Sequence, residues 1–172
     1  NNDKVGVILF SDKIEKFIPA KKGKTHVLHI IRELLSFEPT SKGTDIAQAL
    51  QYFANAQKRH CTAFLISDFI GSGAMYHPLM IASNRHEVNA IQIYDHREAE
   101  LPNVGLVKFH DAETGNDMWV DTAITAVRNN YAQAWRNNQD EIQQLFTRTG
   151  VDYVSIRTDE DYVKALMHLF RC

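Results

Sequence analysis

Cys61-Thr-Ala-Phe-Leu-Ile-Ser67, closed by Asp68, is the stretch that decides the fold. It is short and apolar, and it stops abruptly at a hydroxyl and a carboxylate. A run of this length bounded by turn residues reads as a strand covered on both faces, the kind found in parallel sheets. Lys4-Val-Gly-Val-Ile-Leu-Phe10, closed by Ser11-Asp12, has the same form, and 88–94 and 151–156 supply two more. Between these runs the apolar residues recur at helical spacing. Residues 25–36 place Val27, Ile31, Leu34 and Leu35 on one face with Leu28 beside them. Residues 45–57 place Ile46, Leu50 and Phe53 together, with Thr44 set to cap the helix. Residues 75–84 carry Pro78 in the first turn, where proline is tolerated.

A long helical pattern covers 122–149, through Ile124, Val127, Tyr131 and Trp135 and then Ile142, Leu145 and Phe146; Gly150 is its stop. A last helix, 159–170, turns Tyr162, Leu166, Leu169 and Phe170 inward. Strands alternating with helices predict an α/β domain of three layers, with a doubly wound, mostly parallel sheet. Residues 13–18, halted by Pro19, predict a second strand that makes an edge hairpin with the first. Residues 105–109 and 118–121, around the polar turn 111–115, predict an inserted β-hairpin.

The 172 residues are 44% hydrophobic and 23% charged, which suits one domain with a sizeable core. A net charge of -2 excludes a non-specific nucleic-acid binder, which needs a basic surface. The charge is unevenly spread: the first 60 residues hold ten Lys/Arg and six Asp/Glu, the remainder nine and fifteen. Lys13, Lys16, Lys21, Lys22 and Lys24 concentrate the positive part, and Lys21, Lys22 and Lys24 are candidates for binding an acidic partner. Cys61 starts a strand and Cys172 ends the chain, so they do not read as a disulfide, and a reducing, cytoplasmic compartment is expected. Cys61 reads as a core thiol. No apolar run has the length of a membrane span. The chain starts at Asn1 with a strand almost at once, so further sequence is expected upstream.

In such a sheet, ligands bind at the carboxyl ends of the strands. Ser11-Asp12, Lys42-Gly43-Thr44-Asp45 and Ser67-Asp68 all belong there. Their hydroxyl and carboxylate oxygens are hard ligands, suited to Mg²⁺. Against this stands a plainer reading, with Thr44 capping a helix and Asp68 capping a turn, which spacing alone favours. Other candidates are weaker. Lys22-Gly-Lys-Thr25 lacks the earlier glycine of a phosphate-binding loop, since that position is Ile18. His26 and His29 share a helix face but are too few for a zinc site. His110, Asp111, Glu113 and Asp117 surround the predicted hairpin turn and could serve a metal-dependent hydrolase, or form an ordinary acidic turn. Trp119 and Trp135 read as packing residues.

Val5-Gly-Val-Ile-Leu-Phe-Ser-Asp12, Gly43-Thr-Asp-Ile-Ala-Gln-Ala-Leu50 and Phe64-Leu-Ile-Ser-Asp-Phe69 together resemble the von Willebrand factor A fold. Arg85-His86, 91–95, Leu101-Pro102, 111–115 and Val120-Asp-Thr122 narrow the resemblance. They are similar to a bacterial family of uncharacterised proteins whose genes commonly lie beside MoxR-type AAA+ ATPases. The resemblance implies a metal-ion-dependent adhesion site, whose threonine is matched by Thr44 and whose aspartate is matched by Asp68, with Asp12, Ser67 and Asp45 as neighbours. Its first motif, Asp-x-Ser-x-Ser, occurs nowhere in this sequence. Residues 1–172 then correspond to a single domain without its central first strand and helix. Mg²⁺ or another divalent cation would bind in the intact protein, and weakly or not at all here. The strands starting at Lys4 and Cys61 would either pair directly or leave a gap for another molecule, with a non-native dimer as one outcome. The implied role is protein binding without catalysis, with a AAA+ ATPase as partner in a chaperone-like assembly; the alternatives are the hydrolase at His110 to Asp117 and a structural scaffold without metal.

Overall fold

The computed structural model describes residues 3–71, 74–110 and 115–170. Its first element pair is a hairpin. β1 (Val5–Phe10) and β2 (Ile14–Lys21) run antiparallel, from Phe10 opposite Ile14 to Val5 opposite Lys21. A register shift between Val5 and Val7 presses Gly6 onto β2. A Cβ there would lie 2.8 Å from the Ala20 nitrogen and 2.9 Å from the Ile18 oxygen, so only glycine fits. β2 continues through Pro19 rather than stopping before it, because an edge strand tolerates a residue with no N–H to donate.

Two helices follow, α1 (Lys24–Ser36) and α2 (Ile46–Ala56), and then β3 (Thr62–Ser67), α3 (Tyr76–Ser83), β4 (Glu87–Tyr94) and the short α4 (His96–Ala99). An antiparallel insertion, β5 (Leu106–His110) with β6 (Asp117–Asp121), precedes α5 (Thr125–Thr149), β7 (Asp152–Arg157) and α6 (Tyr162–Leu169). α5 ends where the sequence predicts, at Gly150 in the left-handed region with φ 65°.

β3, β4 and β7 form a parallel sheet with β4 in the middle. The strand alternation sorts its side chains onto two faces. Leu65, Val88, Ala90 and Tyr153 meet Ile46 and Leu50 of α2, Leu79 and Ala82 of α3, and Ile142 and Phe146 of α5. Ile91, Val154 and Ile156 on the other face meet Ala165, Leu166 and Leu169 of α6. Helices thus cover both faces, and the fold is a three-layer α/β architecture with a mostly parallel sheet.

β1 and β3 belong to separate sheets. They do not close up. α2 is braced against both: the Asp45 N–H donates to the Ser11 carbonyl at 2.9 Å, Phe10 packs on the core that holds Leu50 and Leu65, and Phe17 meets Tyr52 edge-on at 5.8 Å. The N-terminus of α2 lies at the carboxyl end of β1, and its C-terminus leads back to the start of β3. The two strands therefore point the same way, on either side of a break.

Several side-chain expectations fail against this arrangement. α1 buries only Ile30, while Leu28, Ile31, Leu34 and Leu35 remain exposed, Leu35 by 84%. Only one row of that helix finds a strand to pack against. In α5, Ile142 and Phe146 are buried and Leu145 packs beside them, but Ile124 is exposed at the helix start. Tyr162 and Phe170 of the last helix also stand exposed, Phe170 touching Phe64 edge-on at 5.6 Å. Trp135 packs on Tyr94, whereas Trp119 projects from the β5–β6 hairpin, 63% exposed.

Candidate functional site

The carboxyl ends of β1 and β3 bring Ser11-Asp12 and Ser67-Asp68 to the two sides of the break. The loop to α2 crosses the first of them: Gly43 lies against Asp12, whose Cβ is 3.5 Å from where a Gly43 Cβ would stand. Asp12, Thr44 and Asp68 are exposed at this end, and Ser67 is partly buried. Thr44 does not cap α2. Asp45 does, accepting from the Gln48 N–H at 2.9 Å. Both residues are good caps, and the chain uses the one whose own N–H is tied to Ser11.

Glu15 holds the crossing loop in place, and nothing in the strand pattern singled it out. Its carboxylate accepts from Ser11 Oγ at 2.8 Å, from Thr40 Oγ1 at 2.7 Å, and from the N–H groups of Thr40 and Ser41 at 3.0 and 3.2 Å. These bonds, those from Thr40 and Ser11 foremost, hold the carboxyl below its ordinary range.

On the other side of the break, the turn after β3 is tightly made. Asp68 Oδ1 accepts from the Ile70 N–H at 3.1 Å, and Ser67 Oγ accepts from the Phe69 N–H at 3.1 Å. Phe69 has φ 57°, the left-handed region that bulky side chains avoid, and its ring is wholly buried. Such a conformation costs on the order of 1–3 kcal/mol and persists only where its surroundings over-determine it. Gln92, fully buried in β4, donates from Nε2 to the Asp68 carbonyl at 2.9 Å.

The donors at this end are hard oxygens and fit a divalent cation in kind. They supply only part of a coordination shell: among the described residues no cluster of three or more His, Cys, Asp or Glu is placed to hold a metal ion.

The remaining candidates lie elsewhere. Lys21 pairs with Val5, so Lys21, Lys22 and Lys24, all exposed, sit at the amino end of β1, the opposite pole from Asp12. Gly23 stands at the N-terminus of α1 there, with φ 106°. His26 Nε2 meets the Val5 carbonyl at 2.9 Å, and His29 Nδ1 lies 3.6 Å from Glu33. Asp117 bridges Lys108 at 2.6 Å and His110 at 2.8 Å on the exposed hairpin. Lys108 and then His110 lower its carboxyl. Asp111 and Glu113 lie outside the described residues. Cys61 Sγ stands 3.7 Å from Nδ1 of the buried His86; Cys61 is itself only partly buried, outside the core, and that burial pushes the thiol up.

Residues 1–141 match the family model described as "Protein of unknown function DUF58". The chain belongs to this family. Its similar relatives include uncharacterized proteins of mycobacteria. The uncharacterized protein Rv1480 of Mycobacterium tuberculosis is 29% identical over 165 residues, covering 94% of this chain and 51% of the relative. The chain thus spans about half the length of that relative. The uncharacterized protein MAV169 of Mycobacterium avium is 28% identical over 158 residues, covering 90% of this chain and 92% of the relative. Neither the family description nor these names carries an enzymatic activity. Two solved structures share the fold at 16% identity. The conserved hypothetical protein BatB of Bacteroides thetaiotaomicron has a TM-score of 0.59 and covers 99% of this chain and 78% of its own. An aerotolerance-related membrane protein of Bacteroides fragilis has a TM-score of 0.60 and covers 100% of this chain and 81% of its own. Among the described residues of this DUF58 chain, no helix is long and apolar enough to cross a membrane.

Proposed function

We propose that this DUF58 chain is the greater part of a protein-binding domain of the von Willebrand factor A type, acting in the cytoplasm. One observation supports the reading: Asp12 and Asp68 each close a strand, β1 and β3, of the two sheets that flank α2, and the loop that carries Thr44 lies against Asp12. Thr44 and Asp68, with Asp12, Ser67 and Asp45 as neighbours, would hold Mg²⁺ or a similar cation. When bound, the ion supplies an open coordination position that a partner's carboxylate completes. The chain's own residues set the loops: Glu15 holds the one that carries Thr44, and Gln92 holds the one that carries Asp68.

An α-helix is about 10 Å across and strands lie about 4.8 Å apart, so two strands braced on one helix leave room for one more between them. A further parallel strand in that place would pair both open edges and bring additional oxygens to the cation. Without it, the same edges favour a non-native dimer. The resemblance to proteins encoded beside MoxR-type AAA+ ATPases supports such an ATPase as the partner. The alternative of a hydrolase at His110 to Asp117 is weaker, because the Asp117 carboxylate is already taken up by an ion pair with Lys108 and a hydrogen bond with His110.

The test is capture of the MoxR-type ATPase by the full-length protein, with Mg²⁺ or with EDTA, in wild type, Thr44→Ala and Asp68→Ala. Capture that is lost with EDTA and with either substitution is the expected result. Capture indifferent to all three overturns the proposal.

A further inference from the structure

Gln92 is a polar residue in a place built for an apolar one. Its neighbours on the same face of β4, Val88 and Ala90, are core residues, and it is itself fully buried. A buried amide is tolerated only when hydrogen-bonded, and this one is bonded at both ends. Its oxygen accepts from the Tyr153 hydroxyl and from Ser155 Oγ at 2.9 Å, and its nitrogen donates to the Asp68 carbonyl at 2.9 Å. Two hydroxyl donors at one end and a carbonyl acceptor at the other fix the orientation of the amide. Burial pushes the Tyr153 phenol up, so it stays a donor.

These contacts close a ring. Asp68 is followed by Phe69, whose ring meets Phe146 edge-on at 5.2 Å. Phe146 stacks on Tyr153 at 5.0 Å. Tyr153 bonds to Gln92, and Gln92 returns to Asp68. Three side chains, Phe146 of α5, Tyr153 of β7 and Gln92 of β4, thus clamp two successive residues of the turn after β3, one by its carbonyl and one by its ring. The left-handed Phe69 lies inside the clamp, which is what over-determines its backbone.

We propose that Gln92 is a positioning residue for the Asp68 turn: its amide ties that turn to β7 and so sets where the Asp68 carboxylate points. The inference rests on the cation-dependent reading above and sharpens it. The network exists to hold a ligand-bearing backbone still, and stability alone would be served as well by an apolar side chain.

The experiment uses this 172-residue chain with Gln92→Met, which keeps the length and removes the hydrogen bonds. Amide exchange is read at Phe69 and Ile70, whose N–H groups bond within the turn, and at Leu65 in the β3 ladder. Mn²⁺ serves as a paramagnetic probe of residues 43–45 and 67–70. Expected are exchange faster by on the order of tenfold at Phe69 and Ile70, the equivalent of one lost buried hydrogen bond, and unchanged exchange at Leu65. Mn²⁺ broadening at Asp68 should weaken about tenfold in apparent affinity, as for other residues that orient a ligand from behind. Exchange and broadening both equal to wild type overturn the proposal. If Gln92→Met does not fold, Tyr153→Phe, which keeps the stack on Phe146, decides instead: the same changes at smaller size support the role, and none refutes it. A wild type that shows no broadening agrees with the partial coordination shell of these 172 residues, and the exchange data alone then decide the role of Gln92.

Discussion

The two β-regions that frame α2 share a sequence pattern and end in different states. Cys61–Ser67 and Lys4–Phe10 are both apolar runs stopped by Ser-Asp. β3 has β4 beside it, and Leu65 lies in a core that three helices close. β1 has only β2 beside it, and the helix that follows leaves Leu28, Ile31, Leu34 and Leu35 in solvent. The difference teaches that an apolar run specifies a strand, while its neighbours decide whether the strand is covered.

Substitutions measure that contrast. Phe146→Ala removes the ring that joins α5, Phe69 and Tyr153, and should cost about 3–5 kcal/mol, read as a lower urea midpoint. A loss below 1 kcal/mol would mean the covered half is no better packed than the open one. Acid acts on the same half. His86 is buried against Phe53 at 4.7 Å, and desolvation, then His60 and Arg85, lower its protonation range. The unfolded chain therefore binds the proton more tightly than the folded one. Stability is fully present above the ordinary histidine range and falls as the pH drops through about 6.5. Melting scans from pH 7 to pH 5 should show this fall, and His86→Gln should flatten it. Asp45→Ala removes the cap of α2, the helix that braces both regions, and should cost about 1 kcal/mol. Leu35→Ser in the open region should change stability by less than about 0.5 kcal/mol, since the side chain touches so little. A larger loss would show that something covers that face in solution.

The strands were legible because burial and β-branching leave a local mark: 61–67, 88–94 and 151–156 are β3, β4 and β7 to within a residue or so at each end. The inward face of α1 was not, because that helix is apolar on two sides and only tertiary contact picks Ile30. At the candidate site, Ser-Asp pairs at strand ends could be read directly. Thr44 and Asp45 are both cap residues, and choosing between them required the Ser11 carbonyl. Gln92 gave no signal at all, since its partner Tyr153 is 61 positions away. Glu15 was hidden likewise, its loop partner Thr40 lying 25 positions along the chain.

The antiparallel β1–β2 hairpin joins Val7 to Ile18, whereas the parallel β4–β7 ladder joins Asn89 to Asp152. Chain entropy separates the two in time. A hairpin closes in about 1–10 μs, but the ladder must wait until the intervening chain, α5 included, has been gathered. The short-range region that ends least covered is thus the one assembled first, and the best-packed region carries the kinetic barrier.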